Sequence, residues 1–375
     1  MDIEALKEKL KGIDDPRRQW GNFRHKLIEI LVIGLLTVMC GGEDFEDMEE
    51  FGQERMEWLK KFLELPNGIP DSDTFRRVYE RIESKALLAC LQEWLLDAER
   101  SGGRLVNIDG KTICGSARQG EHGAIHIVSA WVHEKGMVLG QLETEKKSNE
   151  ITAIPQLLDA IDIEGDIVTI DAMGCQTQIA QKIRRKKADY VLAVKDNQLS
   201  LHEQIREYFG WVEREAPKDE PVDFWKSEPE KDHGRVEMRE VRTASKLDWL
   251  EGRQAWLDMH TIVHYRCTRI ENGITSRNDR YYISSFDTSA EQFAYLVRNH
   301  WSIENHLHWM LDVVFGEDDS RARKDNSPAN LNVLRKVAMA CLKKAPVQKK
   351  RTSIRRKMYK AALNADFLNL AVFGK

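Results

Sequence analysis

Over the first hundred residues apolar side chains recur at helical spacing, interrupted by Pro16, Pro66 and Pro70, and this rhythm predicts a helical unit. Its most apolar run, Leu27 to Cys40, contains Glu29 and falls short of the roughly 20 residues a membrane span needs, so it reads as a buried helix. A helix start follows at IPDSDTFRRVYERI, where Asp71, Ser72 and Asp73 can each cap the first turn. The rhythm changes at Ser101-Gly102-Gly103. Beyond it, RLVNID (104–109), AIHIVSAWV (124–132) and GMVLGQLET (136–144) read as antiparallel strands joined by tight turns. A helix over 149–161, a strand over 166–171, a helix over 176–186 and a strand over 190–194 come next. Strands alternating with helices imply parallel pairing and an α/β core.

From about Trp211 to Ser285 the pattern alternates polar with apolar, as in RVEMREVRT, MHTIVHYRCT and DRYYISS, and predicts a mostly β insertion. Glu291 to Phe315 returns to helical spacing, and another helix starts near Ser327-Pro328. The chain thus divides into a helical unit over 1–100, a core over 101–210 and 286–345, a β-rich insertion over 211–285 and a tail over 346–375. A length of 375 residues is ample for a large buried core. The six cysteines lack any CxxC or metal-ligand spacing, and the charged N-terminus has no apolar leader. A reducing cytoplasm, in association with the nucleoid, is the expected setting.

A net charge of −4 hides an uneven distribution. Between Asn326 and Ala365 there is no acidic residue, while eleven Lys and Arg side chains stand there. Such a block is either a phosphate-binding surface or a solvated tail.

Two segments repeat one design: LVNIDG (105–110) and IVTIDA (167–172) are short apolar strands, each ending in Asp and a small residue. Leu105, Asn107 and Asp109 share one strand face, as do Ile167, Thr169 and Asp171. Either Asp alone could simply end a strand and start a turn. As neighbours in one sheet, the two would crowd like charges and require a compensating cation, for which oxygen ligands favour Mg²⁺, with Mn²⁺ as a substitute. On the helix over 291–315 the apolar stripe runs through Phe293, Val297, Trp301, Leu307 or His308, Leu311 and Val314 or Phe315, and Glu304 falls within it. A carboxylate on a buried face calls for a partner or a metal. Asp312 is the alternative third carboxylate, while Glu317, Asp318 and Asp319 follow Gly316 and read as a solvated loop.

The stretches NIDGKTICGSA, TIDAMGCQTQIAQKI, VLAVKDNQ and RNHWSIENHLHWMLDVVFGEDDSRAR resemble the H-repeat-associated, ISAs-type insertion-sequence transposases of the DDE superfamily. The resemblance spans nearly the whole chain, with DPR (15–17) and DSDTFRRV similar to the family's associated N-terminal domain. It implies an RNase H-like core, a catalytic triad of Asp109, Asp171 and Glu304, and a β-rich insertion before the Glu helix. It also implies DNA as the partner, both element ends and target, and assembly as a dimer or larger oligomer on that DNA. Related transposases often carry Tyr and Arg seven and four residues before the Glu and Lys seven after it; those slots hold Val297, His300 and Leu311 here.

Candidate DNA contacts around the carboxylates are Lys111, Lys195, Asn197, His300, Trp301 and His308, and in the tail Lys349, Arg351, Arg355 and Arg356. The KIRRKK run (182–187) is a further candidate for the DNA backbone or merely complements a helix dipole. His260 and His264 lack the Glu of a zinc helix and lie in a strand-like run. Two rival functions remain: a hydrolysis-only nuclease of the same fold, and a catalytically idle DNA-binding descendant of a transposase.

Overall fold

The computed structural model describes residues 2–17, 23–95, 102–117, 123–144, 150–215, 220–232, 234–347 and 352–374. Six helices come first: α1 (Ile3–Leu10), α2 (Leu27–Cys40), α3 (Phe45–Glu54), α4 (Met56–Leu59), α5 (Ser72–Arg81) and α6 (Ser84–Leu95). The apolar run of α2 is buried from Glu29 to Met39, and Glu29 is satisfied there by the backbone N–H groups of Lys26 and Leu65. No helix among the described residues is long and apolar enough to cross a membrane. Asp71 caps α5 by accepting from the Thr74 N–H at 2.7 Å.

The core then runs β1 (Leu105–Thr112), β2 (His126–Val132), β3 (Met137–Thr144), α7 (Glu150–Ala160), β4 (Ile167–Ile170), α8 (Thr177–Arg185) and β5 (Asp189–Val194). These match the elements read from the sequence. For 195–210 no element is predicted, yet α9 (Leu199–Glu215) forms and buries Leu201, Ile205, Tyr208 and Phe209. The β-rich stretch supplies β6 (Val222–Lys226), β7 (Glu230–Asp232), β8 (Arg235–Ala244), β9 (Thr261–Glu271) and β10 (Ile274–Ser284). Among the described residues the strands make one mixed sheet in the order β3-β2-β1-β4-β5-β10-β9-β8-β6, with β7 paired to β8. β1, β4 and β5 are parallel neighbours, and β10 closes antiparallel on β5, so the insertion prolongs the core sheet.

The stretch expected as one helix over 291–315 changes its winding. It comprises α10 (Ala290–His300), a π-turn (Glu304–His308) and α11 (Trp309–Val313). α10 packs on β4, β6, β8 and β9, while α7 lies against β2 and β3 and α8 against β5. α12 (Ser327–Lys344) carries Pro328 in its first turn and is buried from Ser327 to Leu342; it packs on α2, α5, α6 and β3, tying the N-terminal helices to the sheet.

From Pro346 onward, where the sequence leaves a phosphate-binding surface or a solvated tail open, the described residues form two packed helices. α13 (Ile354–Leu363) and α14 (Ala365–Phe373) pack on α2 and α12, and Met358, Ala361, Phe367, Leu368, Ala371, Val372 and Phe373 enter the main core. Lys357 is buried and donates to the carbonyls of Leu342 and Ala345 at 2.7 and 2.9 Å, capping the end of α12. Arg335 and Lys336 are buried as well, so part of the positive charge serves the interior. Truncation before Pro346 is therefore expected to lower the thermal midpoint sharply or abolish the cooperative transition in calorimetry; an unchanged midpoint would refute this packing role.

Candidate active site

Asp109 and Asp171 follow immediately on Ile108 and Ile170, which are register partners in the parallel pair β1–β4. Neighbouring strands lie roughly 4.8 Å apart, so the two carboxylates emerge side by side. Asp109, Asp171 and Glu304 line one cleft together with Gly110, Glu150, Asn305, His308 and Trp309. Asp109 is pushed up to about 7, chiefly by burial, with the carboxylates of Asp171, Glu304 and Glu150 adding to the shift against the Gly110 N–H. Asp171 is also raised, again mainly by burial and then by Glu150, while Lys195 opposes the shift. One oxygen of Asp171 accepts from the Met173 and Gly174 N–H groups at 3.1 and 3.3 Å. The turn-forming reading of this Asp thus holds alongside its place in the cleft.

Glu304 reaches the cleft for a different reason from the one expected. Its position is exposed, and the residues buried around it are Ser302, Ile303, Leu307 and Leu311. α10 ends at His300 with Trp301 as its cap, and the chain resumes as a π-turn that starts at Glu304, so the unbroken α period on which Glu304 would face the core is lost. Glu317, read as solvated, is instead fully buried. It meets Lys111 at 3.1 Å and Arg335 at 3.7 Å and accepts from the Asn332 amide at 2.8 Å.

Glu150 has no counterpart in the sequence reading, because an acidic residue in a first helical turn is unremarkable. It is buried at the start of α7, and its Oε1 lies 2.6 Å from Nε2 of buried His126, whose Nδ1 is 2.9 Å from the Thr112 hydroxyl. A Cβ at Gly110 would lie 2.2 Å from His126 Nε2 and 2.5 Å from Glu150 Oε1, so only glycine lets this pair sit on the backbone beside Asp109. The signal available in the sequence was that glycine.

The candidate DNA contacts fare unequally. Lys111 is largely buried and already engaged by Asp312 at 2.7 Å, Glu317 at 3.1 Å and Asp318 at 3.5 Å. His300 is turned inward, with Nδ1 2.9 Å from the Thr169 hydroxyl, and burial lowers it to about 4. His308 is held neutral, down to about 3 by burial, with Nδ1 3.7 Å from Asp109 Oδ2. Neither histidine supplies a positive charge near neutral pH.

Lys195 is exposed and lines an adjoining cleft with Arg280 and Trp301, and the Arg280 guanidinium lies 4.4 Å from the Trp301 ring centroid. Asn197 donates to the Ala172 carbonyl at 2.7 Å and so steadies the backbone next to Asp171. Arg355 and Arg356 are exposed on α13, whereas Lys349 and Arg351 lie outside the described residues. In the KIRRKK run Lys182, Arg184 and Lys187 pair with Asp159, Asp189 and Glu164 respectively. His264 lies in β9, with Nε2 2.6 Å from Asp279 Oδ1, in no zinc-helix setting.

Family comparison agrees with this architecture. Residues 100–341 match the model described as Transposase DDE domain. The chain belongs to the DDE transposase family. Residues 7–95 match the companion model, DDE_Tnp_1-associated. The chain is 40% identical to the Escherichia coli O157:H7 protein named "Putative transposase YncI", over 98% of this chain and 94% of that one. It is 38% identical to the "H repeat-associated putative transposase YhhI" of Escherichia coli K12, over 100% of this chain and 99% of that one. A K12 protein named "Inactive transposase YbfQ" is 37% identical over only 21% of this DDE transposase.

Proposed function

We propose that this transposase cuts DNA at the ends of an insertion sequence and joins the exposed 3′-hydroxyl ends to target DNA, with Asp109, Asp171 and Glu304 as its catalytic carboxylates. The observation that carries the reading is the emergence of Asp109 and Asp171 side by side from β1 and β4, in the cleft that Glu304 also lines. The donor set consists of carboxylate oxygens, which suits hard divalent cations such as Mg²⁺ or Mn²⁺. Among the described residues no three His, Cys, Asp or Glu side chains are already gathered as an ion cage, so the fit rests on donor chemistry and on the crowding that raises Asp109. When bound, divalent ions supply activation of the attacking water or 3′-hydroxyl and stabilisation of the leaving oxygen. On the protein's side, the Met173 and Gly174 amides orient Asp171, and Asn197 holds the adjacent Ala172 carbonyl. In this reading exposed Lys195, which lines the adjoining cleft, is a phosphate contact. DNA is the partner in this reading, and a dimer or larger assembly forms on it.

The test is incubation with the DNA flanking the gene, in Mg²⁺ and in Mn²⁺. Cut ends joined to target DNA are expected. Cutting without joining would favour a nuclease, and binding without cutting an idle descendant.

A thermal measurement examines the site independently. A carboxyl raised from 3.8 to about 7 stabilises the fold fully below its unfolded pKa, and that contribution is lost as pH rises through about 7. Divalent ions should therefore raise the melting temperature more at pH 8 than at pH 5, and Asp109→Asn should remove most of that difference. Equal gains at both pH values in the wild type would contradict the assignment.

A further inference from the structure

A row of buried polar side chains crosses from the sheet to the segment that bears Glu304. Asn107 and Thr169 lie two residues before Asp109 and Asp171 on the same strand faces, and they are register partners across β1–β4. Both are buried, as is Ser302. The Thr169 hydroxyl donates to Asn107 Oδ1 at 2.7 Å. The Asn107 amide nitrogen donates to the Asn299 carbonyl at 2.7 Å and to the Ser302 hydroxyl oxygen at 3.0 Å. Ser302 Oγ in turn lies 2.8 Å from His133 Nδ1. Because the single Thr169 proton is given to Asn107, the contact of 2.9 Å with His300 Nδ1 requires the imidazole to donate, which places a proton on Nδ1.

Every partner on the helical side of this row, Asn299, His300 and Ser302, stands immediately before the π-turn. Interior polar groups are held in place by such bonds because an unmade one leaves a buried group without water or partner. A π-turn is an uncommon winding that needs outside support. By the ordinary α period Glu304 would fall on the stripe of Phe293, Val297 and Leu311, facing the sheet.

We propose that Asn107 and Thr169 are positioning residues: with the Thr169 hydroxyl as hub, they hold the α-to-π change of winding that turns the Glu304 carboxylate toward Asp109 and Asp171. The inference rests on the reading of those three residues as the catalytic carboxylates. The same two strands would then both carry catalytic groups and set the third, which comes from more than 130 positions later in the sequence.

The decisive pair of variants is Thr169→Val, which keeps the shape and loses the hydroxyl, and Thr169→Ser, which keeps the hydroxyl. Single-turnover cleavage of element-end DNA, affinity for the same DNA, and hydrogen exchange of amides 303–309 are measured on each. A misplacement near 1 Å can cost about 10²-fold in rate. Thr169→Val is expected to lose about that factor at saturating DNA, with DNA affinity within about twofold and faster exchange confined to 303–309. Thr169→Ser should cleave within about threefold of wild type. Cleavage by Thr169→Val within about threefold of wild type, or equal loss in Thr169→Ser, overturns the proposal. Should Thr169→Val not fold, His300→Asn, which retains a donor for Thr169, must outperform His300→Phe by a similar margin, and equal activities overturn it. An inert wild type, or an active Glu304→Gln variant, would instead overturn the assignment of the catalytic carboxylates.

Discussion

Glu304→Gln is expected to abolish cleavage and joining, by about 10³-fold or more, while folding and DNA binding stay close to wild type. Gln preserves the shape but not the anionic ligand, and the position is exposed, so the fold has little to lose. Asp109→Asn and Asp171→Asn should behave alike in cleavage. Double substitutions should cost little more than single ones, because residues that act through shared ions are not additive. Single-turnover assays on flanking DNA, in Mg²⁺ and Mn²⁺, provide the measurement. Robust cleavage by Glu304→Gln beside an inert but folded Asp312 or Glu317 variant would reassign the third carboxylate.

The second large effect concerns stability. From the sequence, Glu317 belongs to a solvated loop and Glu317→Gln should be nearly neutral; the structure reverses that expectation. Glu317 is fully buried and is the acidic partner of Arg335, whose side chain is 3% exposed, while it also meets Lys111. Breaking one side of a buried pair leaves an uncompensated charge and costs about 3–5 kcal/mol. Glu317→Gln should therefore shift the denaturation midpoint substantially. The pair variant Glu317→Gln/Arg335→Met should be less damaged than the sum of its single changes. Additive costs in urea denaturation would show that the two charges do not depend on each other.

These two glutamates show where burial arguments from sequence go astray. A carboxylate in an apolar stripe must be neutralised, and Glu304 falls in such a stripe only along an unbroken α-helix. The helix is interrupted at Trp301 and rewound as a π-turn from Glu304, so Glu304 lines the cleft and Glu317 is the acid that the interior must neutralise. The two Asp strands were legible because each carries its own pattern of apolar residues and a shared ending. The helix over Leu199–Glu215 was legible too, since Leu201, Ile205, Tyr208 and Phe209 fall at helical spacing, but the neighbouring β pattern drew the boundary away from it. In the basic C-terminal block charge alone does not tell location: Lys357 directs its charge to carbonyls at the end of a helix, while Arg355 and Arg356 stay exposed. Glu150 and His126 pair a strand with the first turn of a helix, so the sequence offers only Gly110 as an indirect sign of them.

The closure of β10 on β5 has a consequence for how the chain is made. β5 is complete at Val194, but its partner in β10 begins at Tyr281, well over eighty residues later. At the usual pace of synthesis, roughly 5–20 residues per second, that edge stays open on the ribosome for on the order of ten seconds. An open edge is a template for strands of other chains. A gene copy interrupted before Ile274 would thus encode no smaller working enzyme, but a half-sheet with its central edge exposed and prone to aggregation.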